Sequence, residues 1–235
     1  MTDDVPHKMK NIHLAIIPDG NRRWAKKHKK PVWYGHFKGA KKMEEFLDWC
    51  LEHPEIKMVS IYALSTENLK RDKKELKKLW DIYKKEFNKL LNSKKVKNNE
   101  IRVNIVGDMN AWRNDVRKLA LTLMKVTENY TRYILNILLA YGSHFEILNA
   151  IKKIVGRSIK HNPLLKESFS KFLMVNRPVD LIIRTGGQYR LSNFLLFQAA
   201  YAEIYFSDTL WPDFSKKEFE KILRWFQKQK RKFGI

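Results

Sequence analysis

The feature that most constrains this chain is a set of six apolar, β-branched runs separated by stretches of helical spacing. The runs are Ile12 to Ile17, Met58 to Leu64, Ile101 to Val106, Tyr133 to Leu139, Leu181 to Ile183 and Ile204 to Phe206. Hydrophobicity that is continuous rather than alternating suits strands covered on both faces. Between the runs, Leu76, Leu79, Trp80, Tyr83, Phe87, Leu90 and Leu91 recur at helical intervals, as do Trp112, Val116, Leu119, Leu123 and Met124. Strand alternating with helix predicts an α/β fold with a central, mainly parallel six-stranded sheet flanked by helices.

Residues 1–235 read as one domain, long enough to bury a full core without metal or disulfide staples. There is no internal repeat and no Gly/Ser-rich linker, and the most loop-like interior stretches are Asn92 to Glu100 and Gly156 to Pro163. The single Cys50 cannot form an intramolecular disulfide, which predicts a reducing, cytoplasmic setting and a small core residue at that position. Met1 to Lys10 lacks an apolar signal core, and no stretch approaches the roughly 18 apolar residues of a membrane span. The formal charge of +22 favours anionic partners: nucleic acid, anionic lipid or phosphorylated small molecules.

In parallel sheets, ligands bind beyond the carboxyl ends of the strands. Here those positions are unusually polar. Pro18, Asp19, Gly20, Asn21, Arg22, Arg23 and Trp24 follow the first run; Ser65, Thr66, Glu67, Asn68 and Arg71 follow the second. Arg184, Thr185, Gly186, Gly187, Arg190, Leu191, Ser192 and Asn193 follow the fifth. Arg23, Arg71, Arg184 and Arg190 are thereby expected at one end of the sheet, where forked guanidinium groups suit phosphate oxygens and imply more than one phosphate. Asp19 is out of place among phosphates unless a cation such as Mg²⁺ lies between them. Glu203, which begins the last strand, is the other carboxylate expected near that cation.

Each cluster alone has a plainer reading. Asp19-Gly20-Asn21 is a good turn or helix cap, and Ser65 to Asn68 is a good helix start. Arg184 and Arg190 suit surface ion pairs, and His36 suits a packed or capping histidine. Coincidence of all of them at strand ends is what argues for a site. The sequence has no Gly-x-x-x-x-Gly-Lys-Ser/Thr and no Gly-x-Gly-x-x-Gly after a strand, which excludes ordinary nucleotide triphosphatases and dinucleotide enzymes. No Asp-Asp-x-x-Asp is present either. The basic residues are not accompanied by a nucleic-acid-binding motif, so nucleic acid is not the expected partner.

The strings His13-Leu-Ala-Ile-Ile-Pro-Asp-Gly-Asn-Arg-Arg-Trp-Ala25, Gly35-His36-x-x-Gly39, Tyr62-Ala-Leu-Ser-Thr-Glu-Asn68, Arg184-Thr-Gly-Gly-Gln-Tyr-Arg-Leu-Ser-Asn-Phe194 and Tyr201 to Phe214 resemble, in family order, the cis-prenyltransferases, the undecaprenyl diphosphate synthase family. The resemblance runs from about His13 to Gly234 and fits the archaeal polyprenyl diphosphate synthase type. It implies successive cis condensation of isopentenyl diphosphate onto an allylic diphosphate primer, farnesyl or geranylgeranyl diphosphate, with Mg²⁺ required. The long-chain product would be a glycan carrier lipid precursor.

Carried over residue by residue, Asp19 looks like the essential carboxylate that handles Mg²⁺, with Glu203 a second metal ligand. Gly20, Asn21, Arg22, Arg23, Trp24, His36 and Arg71 look like the allylic diphosphate cradle, with Thr66 and Glu67 beside it. Arg184, Arg190, Leu191 and Ser192 look like the isopentenyl diphosphate clamp. Asn68, with Ser65 nearby, resembles the group that assists proton removal. The helix expected from Glu75 to Leu91 resembles the one that lines an apolar product tunnel. Its lysine face, including Lys77, Lys78, Lys84 and Lys85, suits peripheral contact with an anionic membrane surface. The resemblance also implies a homodimer.

Several positions depart from the family pattern. Val32 replaces a frequent Arg, Arg22 a frequent Gly and Leu69 a frequent aromatic residue; Gln188-Tyr189 and Ser143-His144 replace Glu/His and Gly-Arg pairs. The C-terminal Arg-x-Gly that crosses the dimer is here Lys232-Phe233-Gly234, beside Arg231. The alternative to an active enzyme is a catalytically silent prenyltransferase-like subunit. Retention of Asp19, Asn68, Arg71, Arg190 and Glu203 argues against it.

Overall fold

The computed structural model describes residues 10–156 and 169–229. All six apolar runs pair into one sheet: β1 (Ile12–Ile17), β2 (Ile56–Ser65), β3 (Ile101–Val106), β4 (Tyr133–Tyr141), β5 (Leu181–Arg184) and β6 (Glu203–Phe206). The order is β3-β4-β2-β1-β5-β6 and every neighbouring pair is parallel. The strands β2 and β4 outrun their apolar cores because the ladder continues to a Ser65 and Tyr141 pair.

Around the sheet lie α1 (Asn21–Lys27), α2 (Val32–Leu51), α3 (Lys73–Leu91), α4 (Lys94–Asn98), α5 (Asn114–Thr127), α6 (Ser143–Val155) and α7 (Lys216–Gln227). On one face, Ile12, Leu14 and Ile16 of β1 share a core with Phe46, Phe87, Leu123 and Phe219 from α2, α3, α5 and α7. On the other, Ala15 and Ile17 pack with Tyr62, Leu138, Phe194 and Leu195. The period of two along β1 thus feeds both layers, which is why its sequence is apolar throughout.

Local chemistry explains the helix starts. Asp72 accepts the N–H groups of Lys74 (2.9 Å) and Glu75 (3.2 Å) and so begins α3 at Lys73, two residues before the expected start at Glu75. The expected loop from Asn92 to Glu100 contains a short helix instead. Ser93 caps it by accepting the N–H of Val96 at 3.3 Å, and the Val96 side chain is buried. Cys50 is buried, and burial raises its thiol pKa well above the ordinary value. Most of the expected loop from Gly156 to Pro163, and Arg231 to Gly234, lie outside the described residues.

A buried polar chain crosses four strands without a sequence signature. His13 Nε2 lies 2.7 Å from Ser60 Oγ, Asn136 Nδ2 donates to that oxygen at 3.0 Å, and Asn104 Nδ2 donates to Asn136 Oδ1 at 2.9 Å. His13 Nδ1 faces the Pro178 carbonyl at 2.8 Å. The Pro178 carbonyl fixes the proton on Nδ1, and burial, which lowers the His13 pKa to about 4, keeps the ring neutral so that Nε2 accepts from Ser60.

After β1, the chain places β2 on one side of it and, much later, β5 on the other. The crevice beyond the carboxyl ends of β1 and β5 is therefore the switch point where such sheets bind ligands. Register sets what faces it, because Ile17 pairs with Arg184 and Asp19 follows two residues on, after Pro18.

Candidate active site

At that crevice, Asp19 is held between two guanidinium groups. Its Oδ2 accepts from Arg184 Nη2 at 3.0 Å, and its Oδ1 lies 3.2 Å from Arg23 Nη2. Its carbonyl accepts from Thr185 Oγ1 at 2.9 Å and from the Trp211 N–H at 3.0 Å, so the turn is anchored to β5 and to the segment after β6. Arg184 is 4% exposed, too buried to be a solvated surface charge. Its Nη1 donates to Ser192 Oγ at 2.7 Å and to the Arg190 carbonyl, which folds the Arg190 to Ser192 turn over the crevice.

Two glycines let the walls approach. A Cβ on Gly39 would stand 2.3 Å from Asn21 Oδ1, so a larger residue there would push the Asn21 side chain out of its place between α1 and α2. Gly186 has φ +87, and a Cβ on it would stand 2.6 Å from Arg23 Nη2.

A second cluster closes the opposite wall. His36 Nε2 lies 3.1 Å from Glu75 Oε1, and Arg71 Nη1 donates to the same oxygen at 3.3 Å. Burial lowers the His36 pKa, and the charges of Arg71 and Arg22 add to that, against the opposing hydrogen bond that His36 donates to Glu75. Asn68 and Ser65 hold each other: the Asn68 N–H donates to Ser65 Oγ at 3.1 Å. Glu67 Oε1 accepts from Asn193 Nδ2 at 3.1 Å, which ties the β2 and β5 loops together. Burial acts to raise the Glu67 pKa, but hydrogen bonds from its backbone, Asn193, Ser65 and Thr66 leave it lowered.

Both clusters open into one cavity of about 1240 Å³. Its mouth is polar, and its deep wall is apolar, with Leu47 of α2, Ile82, Phe87 and Leu90 of α3, and Leu135 and Ile137 of β4. A smaller cavity of about 200 Å³ adjoins it and shares Glu44, Leu47, Glu86, Leu90 and Leu135. Lys89 bridges α3 to α2 there, pairing with Glu44 and with Glu86 at 3.1 Å.

A family model for undecaprenyl diphosphate synthase matches residues 17–234. The tritrans,polycis-undecaprenyl-diphosphate synthase (geranylgeranyl-diphosphate specific) of Pyrococcus furiosus is 47% identical over 229 residues, covering 94% of this chain and 86% of that protein. The protein of the same description from Thermococcus kodakarensis is 45% identical over 228 residues, with the same two coverages, 94% and 86%. The chain belongs to the undecaprenyl diphosphate synthase family of cis-prenyltransferases. Lavandulyl diphosphate synthase from Lavandula x intermedia, solved in complex with dimethylallyl diphosphate, has the same fold, with a TM-score of 0.89 and 28% identity over 97% of this chain and 100% of that one. Chemistry in this family joins isopentenyl diphosphate to an allylic diphosphate primer.

Of the residues expected in this cis-prenyltransferase site, Asp19, Gly20, Asn21, Arg22, Arg23, His36, Ser65, Glu67, Asn68, Arg71, Arg184, Arg190 and Ser192 line the cavity. Four do not. The Trp24 indole donates to Asp213 at 2.6 Å and stacks on His28 at 4.1 Å, so the ring serves packing between α1 and the segment after β6. Thr66 donates its N–H to the Tyr141 carbonyl at 3.0 Å and closes the end of β4. Leu191 packs against the second core. Glu203 pairs in register with Leu181, at the amino end of β5, whereas Asp19 lies beyond its carboxyl end. A strand reaches about 3.3 Å per residue, so within one chain Glu203 lies a strand length from Asp19.

Among the described residues no group of three or more His, Cys, Asp or Glu is placed to hold a metal ion. Mg²⁺ does not require one, because it is commonly bound by one or two carboxylates together with substrate phosphates. A lone, partly exposed Asp19 among arginines fits that mode. Two buried polar atoms on cavity-lining residues lack a protein partner: Asn21 Oδ1, an acceptor, and Arg184 Nε, a donor suited to a phosphate oxygen rather than to the ion.

The sequence does not single out Glu75 or the trio Glu44, Glu86 and Lys89. Glu75 was hidden because three residues after Asp72 it looks like part of a helix start.

Proposed function

We propose that this chain extends geranylgeranyl diphosphate by repeated cis addition of isopentenyl diphosphate, giving a long polyprenyl diphosphate that serves as a precursor of a glycan carrier lipid. The observation that carries this reading is the Asp19, Arg23 and Arg184 cluster at the mouth of a cavity whose depth is apolar. A diphosphate and a growing hydrocarbon need those two environments side by side. The choice of primer draws on the Pyrococcus and Thermococcus relatives, which are described as geranylgeranyl-diphosphate specific.

In this proposal Arg22, Arg23 and Arg71 bind the allylic diphosphate, and Arg184, Arg190 and Ser192 bind isopentenyl diphosphate. Asp19 would hold Mg²⁺ against the diphosphate oxygens. The ion, when bound, neutralises charge that builds on the departing diphosphate. The fixed guanidinium groups do the same from the protein side, and the common mouth brings the two substrates into attacking distance. Asn68, held by Ser65, orients a phosphate oxygen or a water for proton removal; an amide is too weak a base to take the proton itself. The apolar wall of α3 receives the tail.

We further assign a homodimer, supported by the edge strand β6, which has no further strand beside it among the described residues, and by exposed Leu148, Ile151 and Val155 along α6. No helix among the described residues is long and apolar enough to cross a membrane. Peripheral contact with anionic lipid draws on exposed Lys77 and Lys78 of α3; Lys84 of the same helix is engaged by Asp115 at 3.0 Å. Unchanged binding to anionic vesicles after reversing Lys77 and Lys78 would refute that contact.

The test of the main reading is incubation with Mg²⁺, labelled isopentenyl diphosphate and either geranylgeranyl or farnesyl diphosphate, followed by sizing of the products. Long products from the C20 primer support it. Phosphate release without elongation points to a hydrolase, and no turnover with tight binding of a partner chain points to a silent subunit.

A further inference from the structure

One carboxylate oxygen in this wall meets basic groups from three separate elements. Glu75 Oε1 lies 3.1 Å from His36 Nε2 on α2, 3.3 Å from Arg71 Nη1 ahead of α3, and 3.7 Å from Arg22 Nε on α1. The Glu75 side chain is 11% exposed, His36 8% and Arg71 24%, so those two contacts are shielded from the screening that makes surface pairs weak, whereas Arg22, at 59%, reaches in from solvent. Its backbone is fixed independently, because its N–H is one of the two that Asp72 accepts at the start of α3.

We infer that Glu75 is a positioning residue that sets His36, Arg71 and Arg22 for the allylic diphosphate, an inference that rests on the proposed assignment of those groups to that substrate. Each arginine presents a single nitrogen to Glu75, Nη1 from Arg71 and Nε from Arg22. The remaining N–H donors of each fork stay available for phosphate oxygens. One carboxylate against two guanidinium groups also leaves the wall net positive. The contact with Glu75 selects the His36 tautomer that carries its proton on Nε2. Glu75 therefore aligns donors on three elements that nothing in the local sequence links.

The groups that face His36 are Glu75 from α3, Arg71 from the preceding turn and Arg22 from α1. Glu75 raises the His36 pKa by hydrogen bonding and charge, whereas burial and the two arginines lower it. This supplies a readout that mere packing would not move.

The test is Glu75→Gln, which keeps the shape and a hydrogen-bond acceptor but removes the charge. The expected result is a rise in KM for the allylic diphosphate of roughly tenfold, with KM for isopentenyl diphosphate unchanged and the His36 titration, followed by NMR, displaced downward. Glu75→Asp, which keeps the charge on a shorter arm, should fall between wild type and Glu75→Gln. Equal KM values for both substrates in wild type and Glu75→Gln, or a His36 titration that does not move, would overturn the inference. A wild-type protein that binds no allylic diphosphate would instead overturn the functional reading beneath it.

Discussion

Asp19 Oδ2 and Arg184 Nη2 stand 3.0 Å apart across the β1/β5 crevice, although 164 residues lie between them in the chain. The parallel register of β1 and β5 makes the pair, and the pair brings the two proposed diphosphate sites to one point. Asp19→Ala should reduce elongation by about 10³-fold or more, as expected when a charge-stabilising group at the reacting centre is lost. The far-ultraviolet circular dichroism should stay unchanged. Retained activity would remove Asp19 from the proposed metal role.

Arg184→Lys tests geometry apart from charge. The ammonium keeps one positive charge but lacks the planar fork whose two separate nitrogens reach Asp19 on one side and Ser192 and the Arg190 carbonyl on the other. Steady-state kinetics should show about a 10²-fold loss in kcat/KM for isopentenyl diphosphate, an effect of some 2 to 3 kcal/mol on transition-state binding. A loss confined to the allylic substrate would reverse the assignment of the two diphosphates.

Gly39→Ala should be costly for a residue so small. Its methyl would meet Asn21 Oδ1 at 2.3 Å, so α1 and α2 must part or Asn21 must turn away from the cavity. Overpacking of this kind costs about 1 to 3 kcal/mol. Thermal denaturation should show a lowered midpoint, and the allylic substrate should bind more weakly; an unchanged midpoint would contradict the close approach.

His13 predicts a fall in stability at mild acidity. Burial lowers its pKa from 6.5 to about 4, against opposing contributions from the Pro178 carbonyl and Asp180. The unfolded chain takes up a proton near pH 6.5 that the folded chain refuses until about pH 4, so stability is full above 6.5 and falls as pH drops through that window. The loss is on the order of 3 kcal/mol for a shift of this size. Denaturant titrations at pH 7 and pH 4.5 should show it in wild type, and His13→Asn should flatten the difference.

The deep end of the cavity predicts a change in product length. Lys89 ties together Glu44 and Glu86, which line both of the adjoining cavities, of about 1240 and 200 Å³. Lys89→Ala should join them and lengthen the polyprenyl products sized by chromatography. An unaltered distribution would show that the chain end does not reach this bar.

What the sequence determined by itself were the things that short-range chemistry can state. The six strands were legible because a strand covered on both faces must be apolar throughout, and Asp19, Arg71, Arg184 and Arg190 were legible because charged residues directly after buried strands are out of place for a core. The start of α3 at Asp72 and the short helix after Ser93 were less visible, since a side-chain cap reads in sequence as an ordinary turn. Tertiary structure alone decided which of those residues meet. Parallel register put Arg184 beside Asp19 and carried Glu203 to the other end of the sheet within the chain, and neither result follows from a residue's own neighbours. Glu75, His13 and Lys89 owe their surroundings to elements dozens of residues away, because burial and charge act through space while the sequence orders only what is joined along it.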